Sequence, residues 1–331
     1  MVFRRILVLM MGCLGCADQT TEQNANNNME SKSSVVDESG ITTLRVRLSD
    51  GRYLAYRERG VPKNKCKYSI ILVHGFGSSK EMSFMASDKL LDGMGIYLLI
   101  YDRAGYGESD PNPKRSVKSE ASDIEELADQ LQLGSKLAGV ALIVPFINYK
   151  WRSLPDDLTK DDYRKQLCRL MLLLTCYTPG LLHWWFTQKM FPSATVLEGN
   201  PKFFCDKDLA VLKNTDGYQL FTQDGIRKRR VFDSLRRDFI VAFSKWDFDP
   251  LELSNPYTQN ESSVHIWQGY EDKVVPVQLQ RHVSKTLPWI RYHEVPDGGH
   301  LLVYDTVVCE AVLKSLLLGE DPPLYRPKLV L

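Results

Sequence analysis

The sequence has almost no excess of charge of either sign. Its 331 residues include 42 lysines and arginines against 41 aspartates and glutamates, a formal net charge of +1. Without an overall field, the chain does not attract nucleic acid or an anionic membrane through net charge alone. It also has no basic stripe, helix-turn-helix pattern, RNP motif or internal repeat. Nucleic-acid binding is therefore not expected, and the sequence predicts no protein partner.

The cysteines give no pattern of a metal site or a disulfide framework. Two of the seven lie near the N-terminus, and the other five are scattered and form no Cys-x-x-Cys pair: Cys66, Cys168, Cys176, Cys205 and Cys309. A chain of this length can bury a large core and needs no disulfides to hold it. We therefore expect buried free thiols. The sequence gives no sign of a metal or an organic cofactor.

Hydrophobic runs are too short to cross a bilayer, which takes about 20 residues. Arg4 and Arg5 precede about a dozen apolar residues that end in small ones at Ala17, which is typical of a cleaved secretory signal peptide. Residues 1–17 are thus predicted to be a leader whose hydrophobic part (6–17) directs the chain to the secretory pathway or endomembranes, with a permanent anchor as the alternative. Residues 18–40, rich in Asn, Ser, Thr and Glu, predict a disordered linker.

Two apolar runs that end in glycine-containing turns predict buried parallel strands. Ile70–Val73 leads into His74-Gly75-Phe76-Gly77, and Ile96–Tyr101 leads into Asp102-Arg103-Ala104-Gly105. A helix around Lys80–Leu91 between them implies a right-handed crossover and a parallel sheet. Ahead of these elements, Asp50-Gly51 separates two alternating runs and predicts a β-hairpin.

These motifs, in this order, resemble those of the α/β-hydrolase superfamily. They are the His-Gly-x-Gly turn after one strand and the Asp-Arg-x-Gly-x-Gly-x-Ser loop after the next, and Asp110–Arg115 is similar to a branch common in plants. The resemblance spans roughly Leu44 to Leu317. It implies an α/β fold with a mostly parallel sheet flanked by helices, built from a first core segment (41–148), an inserted helical cap (149–256) and a second core segment (257–331).

The resemblance also implies roles for residues at the carboxyl ends of strands. The triad acid of the family maps onto Asp272 and the triad histidine onto His300. The backbone N–H of Phe76 corresponds to an oxyanion-hole donor, and four residues belong to loops that shape the site: His74, Gly75, Asp102 and Arg103. His74 is expected to brace its turn rather than to act as a base.

The nucleophile of such a site is missing from the sequence. No Gly-x-Ser-x-Gly motif occurs, and neither Cys nor Asp replaces the serine in that pattern. Instead, Gly134-Ser135-Lys136 runs directly into Leu137–Val144, which resembles the strand after the nucleophile helix. About 25 residues, one central strand and its helix, are missing by ordinary element lengths. Ser135 has glycines at the wrong offsets to replace the nucleophile.

Three functions remain open. The first is a serine hydrolase of carboxylic esters or similar acyl substrates whose activity is weak or absent because the nucleophile is lost. The second is a non-catalytic module that binds a small hydrophobic, ester-like ligand beneath the cap. The third is an inactive splice isoform. For the sheet, we expect either that Leu137–Val144 moves into the place of the lost strand or that a gap destabilises the chain.

Overall fold

The computed structural model describes residues 5–11, 32–36, 42–134, 136–188, 203–214, 229–257 and 263–320. The strands are β1 (Arg5–Met11), β2 (Lys32–Val36), β3 (Thr42–Arg47), β4 (Tyr53–Gly60), β5 (Tyr68–Val73), β6 (Ile96–Tyr101), β7 (Lys136–Ile143), β8 (Ser263–Gly269) and β9 (Ile290–Val295). The helices are α1 (Asp88–Met94), α2 (Val117–Gln130), α3 (Asp156–Thr159), α4 (Tyr163–Tyr177), α5 (Pro179–Thr187), α6 (Asp206–Asn214), α7 (Arg229–Phe243), α8 (Val277–Thr286) and α9 (Thr306–Leu318). Short 3-10 turns lie at Lys63–Lys65, Pro250–Glu252 and Leu302–Tyr304.

The strands form one sheet in the order β2-β3-β4-β6-β5-β1-β7-β8-β9. Strands β2, β3 and β4 are joined by antiparallel pairing, and β4 is antiparallel to β6. All pairs from β6 to β9 are parallel. The predicted hairpin, the two predicted parallel strands and the α/β fold class are confirmed.

The centre of the sheet is filled by the N-terminal segment. Strand β1 pairs in parallel with β5 on one side and β7 on the other, with Met10 opposite Val73 and Met11 opposite Ile143. This is the place beside the His74 strand where the sequence predicts a missing strand. Neither expected arrangement is observed, because β7 stays between β1 and β8 and no gap opens between β5 and β7.

The prediction of a disordered linker over residues 18–40 differs from the structure at one place. Lys32–Val36 forms the edge strand β2, antiparallel to β3. The rest of the linker and residues 12–17 of the predicted leader lie outside the described residues. Among the described helices, none combines the length and the apolar character that a membrane span needs.

The predicted helix at Lys80–Leu91 is mostly wrong. The helix α1 begins only at Asp88, where the Ser87 side chain accepts a hydrogen bond from Leu90 N. The residues before α1 do not form a helix, because arginine side chains bind their carbonyl groups. Arg57 donates to the carbonyl of Met82, and Arg59 donates to those of Phe84 and Ala86. Alternate residues of this stretch are buried: Met82, Phe84 and Ala86.

Apolar side chains of the central strands alternate between two hydrophobic clusters. Ile71 and Leu99 belong to the first, which packs against α2, while Ile70 and Leu98 belong to the second, which packs against α9. This period-two pattern is the one expected of strands covered on both faces. Helices α3–α7 lie within the predicted cap (149–256), and three of them share a third cluster built on Met171, Leu182, Phe186, Phe232, Leu235 and Phe239.

Two buried histidines pair across β8 and β9. His265 Nδ1 lies 2.9 Å from His293 Nε2, and His265 Nε2 lies 2.6 Å from Ser263 Oγ. Burial, followed by the charges of His293 and Arg291, lowers the pKa of His265 from 6.5 to about 3. The folded protein therefore keeps this imidazole neutral, whereas the unfolded chain takes up a proton.

This difference predicts acid destabilisation. Because the folded pKa of His265 is depressed, its contribution is present above pH 6.5 and is lost as the pH falls below that value. The free energy of unfolding is expected to fall by up to about 1.4 kcal/mol per pH unit from this group. Urea unfolding between about pH 7 and pH 5 tests this, with His265→Asn expected to flatten the slope. An unchanged slope in His265→Asn would contradict the assignment.

Candidate active site

The residues implicated by the sequence lie at one edge of the sheet. His74 follows β5, Asp102 follows β6, Asp272 follows β8 and His300 follows β9. These four strands run parallel, so their carboxyl ends meet at the same edge. Open α/β sheets bind their ligands at that edge.

The structure brings His300 and Asp272 together. His300 Nδ1 donates to Asp272 Oδ2 over 2.9 Å. The Asp272 side chain is fully buried, while that of His300 is 22% exposed. This bond holds the proton on Nδ1 and leaves Nε2, on the other side of the ring, as a proton acceptor. An imidazole placed in this way can serve as a general base.

Asp272 is fixed by neighbours in its own loop. Its Oδ1 accepts hydrogen bonds from the backbone N–H groups of Val274 at 2.8 Å and Val275 at 2.9 Å. Its Oδ2 also accepts from Gln268 Nε2 at 3.1 Å. The buried carboxylate is thus oriented toward the imidazole by three further donors.

An aspartate of the cap region, which the sequence did not indicate, braces the histidine loop. The carboxylate of Asp208, on α6, accepts from the backbone N–H of His300 at 3.0 Å and of Leu301 at 2.8 Å. A Cβ at Gly299 would lie 2.2 Å from Asp208 Oδ2, so the contact requires glycine. Asp208 and His300 are 92 positions apart in the sequence. No local pattern in the sequence could have revealed this partner.

The surroundings of His300 favour its charged form. Burial lowers the pKa of His300, but the charge and hydrogen bond of Asp272 and the charge of Asp208 outweigh burial and raise it above its ordinary value. The neutral form that accepts a proton is therefore reached only at higher pH. Any reaction that uses His300 as a base is expected to speed up as the pH rises.

The His74 turn is built around a neutral imidazole. His74 is completely buried, its Nδ1 donates to Gly75 O at 2.8 Å, and its Nε2 accepts from Arg103 N at 3.0 Å. Burial, followed by the nearby Arg103 charge, lowers the pKa of His74 to about 3. Since both ring nitrogens are engaged, His74 joins the loops after β5 and β6 and does not accept substrate protons.

Phe76 lies in the same turn and packs against α7. Its ring centroid is 4.8 Å from that of Phe239 on α7, and it packs against the third hydrophobic cluster. The turn thus contacts α7, which lies within the predicted cap. The role of the Phe76 backbone N–H as an oxyanion donor remains a prediction.

Asp102 organises the loop that follows β6. Its Oδ1 accepts from Lys80 N at 2.7 Å and its Oδ2 from Glu108 N at 3.0 Å. Gly107 has a φ of +46°, and a Cβ there would lie 2.1 Å from Asp102 Oδ2. The buried Asp102 carboxylate therefore holds the loop after β5 to the loop after β6.

Arg103 belongs to a buried ion network that joins the loop after β6 to helices α2 and α7. It donates to Asp238 on α7, and its Nε donates to Glu120 on α2 at 3.2 Å. Arg115 Nη2 lies 2.6 Å from Asp238 Oδ1, and Tyr106 OH also donates to Asp238. Asp238, like Asp208, was not indicated by the sequence.

The Ser109 hydroxyl, in the loop after β6, is held by the backbone. Ser109 is fully buried, with its Oγ donating to Asp102 O at 2.6 Å and accepting from Ala55 N at 2.8 Å. Ser135 lies outside the described residues. So does the stretch that follows β1, which reads Gly12-Cys13-Leu14-Gly15.

In the described part of the chain, no cluster of His, Cys, Asp and Glu side chains could hold a metal ion.

Comparison with solved structures supports the fold. An esterase from Exiguobacterium antarcticum superposes with a TM-score of 0.56 at 15% identity, covering 82% of this chain and 97% of that one. A bromoperoxidase from Bacillus anthracis gives 0.53 at 19% identity, covering 84% and 100%. An α/β-hydrolase enzyme from a Medee basin deep-sea metagenome library gives 0.50 at 14% identity, covering 83% and 98%.

Comparisons by sequence add nothing to this, because no model of a known protein family matches the chain and no curated protein does. Likeness at such low identity shows the fold and not the activity. The parallel strands, the His300–Asp272 pair and these structural neighbours agree. The chain therefore has the fold of the α/β hydrolases.

Proposed function

We propose that the chain derives from serine hydrolases of carboxylic esters, of the plant-type branch, and has lost most or all of its turnover. The observation that carries the proposal is the 2.9 Å hydrogen bond between His300 Nδ1 and Asp272 Oδ2. In acyl transfer, such a pair takes the proton of a nucleophilic hydroxyl on Nε2 and later returns it to the leaving group. A small hydrophobic ester is the substrate class that the proposal implies.

The expected impairment follows from the missing elbow. The sequence contains no Gly-x-Ser-x-Gly motif. Loss of the serine nucleophile from a triad lowers kcat on the order of a millionfold. The backbone N–H that follows the nucleophile, which is the second oxyanion donor, is lost with it. His300 and Asp272 alone can polarise a bound group but form no acyl intermediate.

Fluorophosphonate labelling of the folded protein tests this proposal. We expect no covalent label under conditions in which a serine esterase of known activity is labelled fully. His300→Ala is the matched variant, because it removes the base without touching any serine. Label located by mass spectrometry at a serine, or at Cys13, and lost in His300→Ala would contradict the proposal and identify a working enzyme.

A second candidate is a module that binds a small hydrophobic ligand without turnover. A cavity of about 350 Å³ favours it. Phe146, Leu172 and Phe243 line this cavity together with polar and basic side chains, and neither Asp272 nor His300 lines it. This volume lies within the range of about 300–1,000 Å³ for small-molecule sites. Tight binding of a medium-chain ester, followed by tryptophan fluorescence and without release of acid, would favour binding over catalysis.

A further inference from the structure

The cap presents an apolar surface to solvent on two consecutive helices. Helices α4 and α5 share Thr178 as C-cap and N-cap, so the chain passes from one to the other without a loop. Five large side chains on them are between 42% and 80% exposed, and we name them the outer face: Leu170, Leu173, Tyr177, Leu181 and Trp184. Within each helix, their spacing of three or four residues follows the helical repeat.

The outer face is not needed for the packing of the cap. Other residues of the same helices supply that packing, namely Met171 on α4 and Leu182 and Phe186 on α5, which are at most 6% exposed. Helices α4 and α5 are thus apolar on two sides. A soluble surface seldom keeps such a patch without a partner.

The segment that carries the outer face contains charges of one sign in sequence. From Tyr163 to Gln188 it has no aspartate or glutamate but has Arg164, Lys165 and Arg169. Arg164 pairs with Asp162, and Lys165 pairs with Asp156, two aspartates that precede the segment. Among the described residues, Arg169 is therefore the cation of this segment that forms no ion pair. This basic stretch contrasts with a whole chain of net charge +1. Exposed leucine, tyrosine and tryptophan bordered by basic side chains are typical of helices that lie in the interface of an anionic bilayer.

The cavity of about 350 Å³ adjoins the outer face. Arg169 and Leu173 line it together with Phe146, Leu172 and Phe243. An apolar cavity bordered by an arginine suits a molecule with an acyl chain and an acidic head. A surface that supplies such molecules is a phospholipid bilayer.

We propose that the outer face docks on a phospholipid surface that carries anionic headgroups. Leucine, tyrosine and tryptophan enter the boundary between headgroups and acyl chains, and Arg169 faces the phosphates. The attraction has an apolar part and an electrostatic part, so both can be measured separately. The proposal goes beyond the proposed hydrolase origin and does not depend on it.

Vesicle flotation of the full chain tests the proposal. The vesicles are phosphatidylcholine alone or phosphatidylcholine mixed with phosphatidylserine. We expect the protein to float mainly with the mixed vesicles, and binding to weaken as salt is added. Recovery in the bottom fraction with both kinds of vesicle would overturn the proposal.

Substitutions test whether vesicle binding depends on the outer face or on exposed apolar side chains in general. The triple variant Tyr177→Ser, Leu181→Ser and Trp184→Ser is expected to bind the mixed vesicles at least about tenfold more weakly. The control is Val307→Ser with Leu318→Ser, since these α9 side chains are 65% and 50% exposed and lie outside the outer face. Arg169→Glu is expected to weaken binding to mixed vesicles only.

The alternative occupant, a second copy of the chain, has its own signature. Light scattering that shows a dimer which the triple variant turns into a monomer, with no flotation of the original protein, would overturn the proposal. Equal flotation of the triple variant and the control would also overturn it. Because the side chains substituted in the triple variant and its control are at least 49% exposed, we expect these variants to fold.

Discussion

Removal of residues 1–11 is expected to unfold the protein. Strand β1 lies between β5 and β7 and pairs with both along its length. Its loss leaves the facing N–H and C=O groups of two buried strands without partners, at about 1–3 kcal/mol each. A few such groups equal the whole net stability of a domain, which is about 5–15 kcal/mol. Circular dichroism and gel filtration of the truncated chain measure this effect.

A single substitution gives a milder version of the same experiment. Val8→Pro removes one backbone N–H from the middle of β1, and proline is not tolerated in a central strand. We expect a loss of at least about 1–3 kcal/mol in the free energy of unfolding, because the facing carbonyl is left without a partner. Val8→Ala keeps the N–H and is the matched control. Equal stability of the two variants in urea would show that β1 does not carry backbone hydrogen bonds.

Asp238→Asn is expected to have the second-largest effect. Asp238 is 3% exposed and neutralises Arg103 and Arg115, which are themselves buried. Burial raises the pKa of Asp238, but the two guanidinium charges outweigh burial and hold that pKa below its ordinary value. Breaking a buried ion network by removing one partner costs about 3–5 kcal/mol.

The control for Asp238→Asn is an exposed ion pair of the same chemistry. Asp157 lies 3.9 Å from Lys160, and its side chain is 93% exposed. Asp157→Asn is expected to change stability by less than about 1 kcal/mol. The depressed pKa of Asp238 also predicts how stability depends on pH. The contribution of Asp238 to the free energy of unfolding is present above its ordinary pKa and is lost as the pH falls through the folded value. Equal urea midpoints for the two variants would contradict this view of the network.

Much of the core could be predicted from local pattern. The apolar run Ile96–Tyr101 matches β6 residue for residue, and the glycine turns after β8 and β9 led to Asp272 and His300. Both signals are local, because a buried strand and the turn that ends it are encoded in neighbouring residues. The pairing of Asp272 with His300 followed from the resemblance and not from spacing alone.

The remaining features depend on contacts between distant residues. Asp238 lies 135 positions from Arg103, and the backbone of Met82, Phe84 and Ala86 is held by arginines on β4. Such partners leave no mark in the local sequence. The N-terminal run was ambiguous for another reason, since a short apolar stretch after two arginines suits a signal peptide and a buried strand equally well.

The N-terminal segment cannot serve both as strand β1 and as a cleaved leader. Cleavage after Ala17 would remove Arg5–Met11 and with it the middle of the sheet. A folded chain with this sheet therefore retains its N-terminus. The candidate site depends on this choice, because β1 separates β5, which carries the His74 turn, from β7 and the strands that carry Asp272 and His300.

Hydrogen–deuterium exchange of the full chain tests most directly whether the N-terminal segment completes the sheet. Peptides that cover Arg5–Met11 can be compared with those that cover β5 and β7 in the same sample. Buried, paired strands exchange only when the surrounding structure opens. We predict that all three exchange slowly and at similar rates. Exchange of Arg5–Met11 as fast as an unstructured peptide, with β5 and β7 still protected, would show that the sheet closes without it.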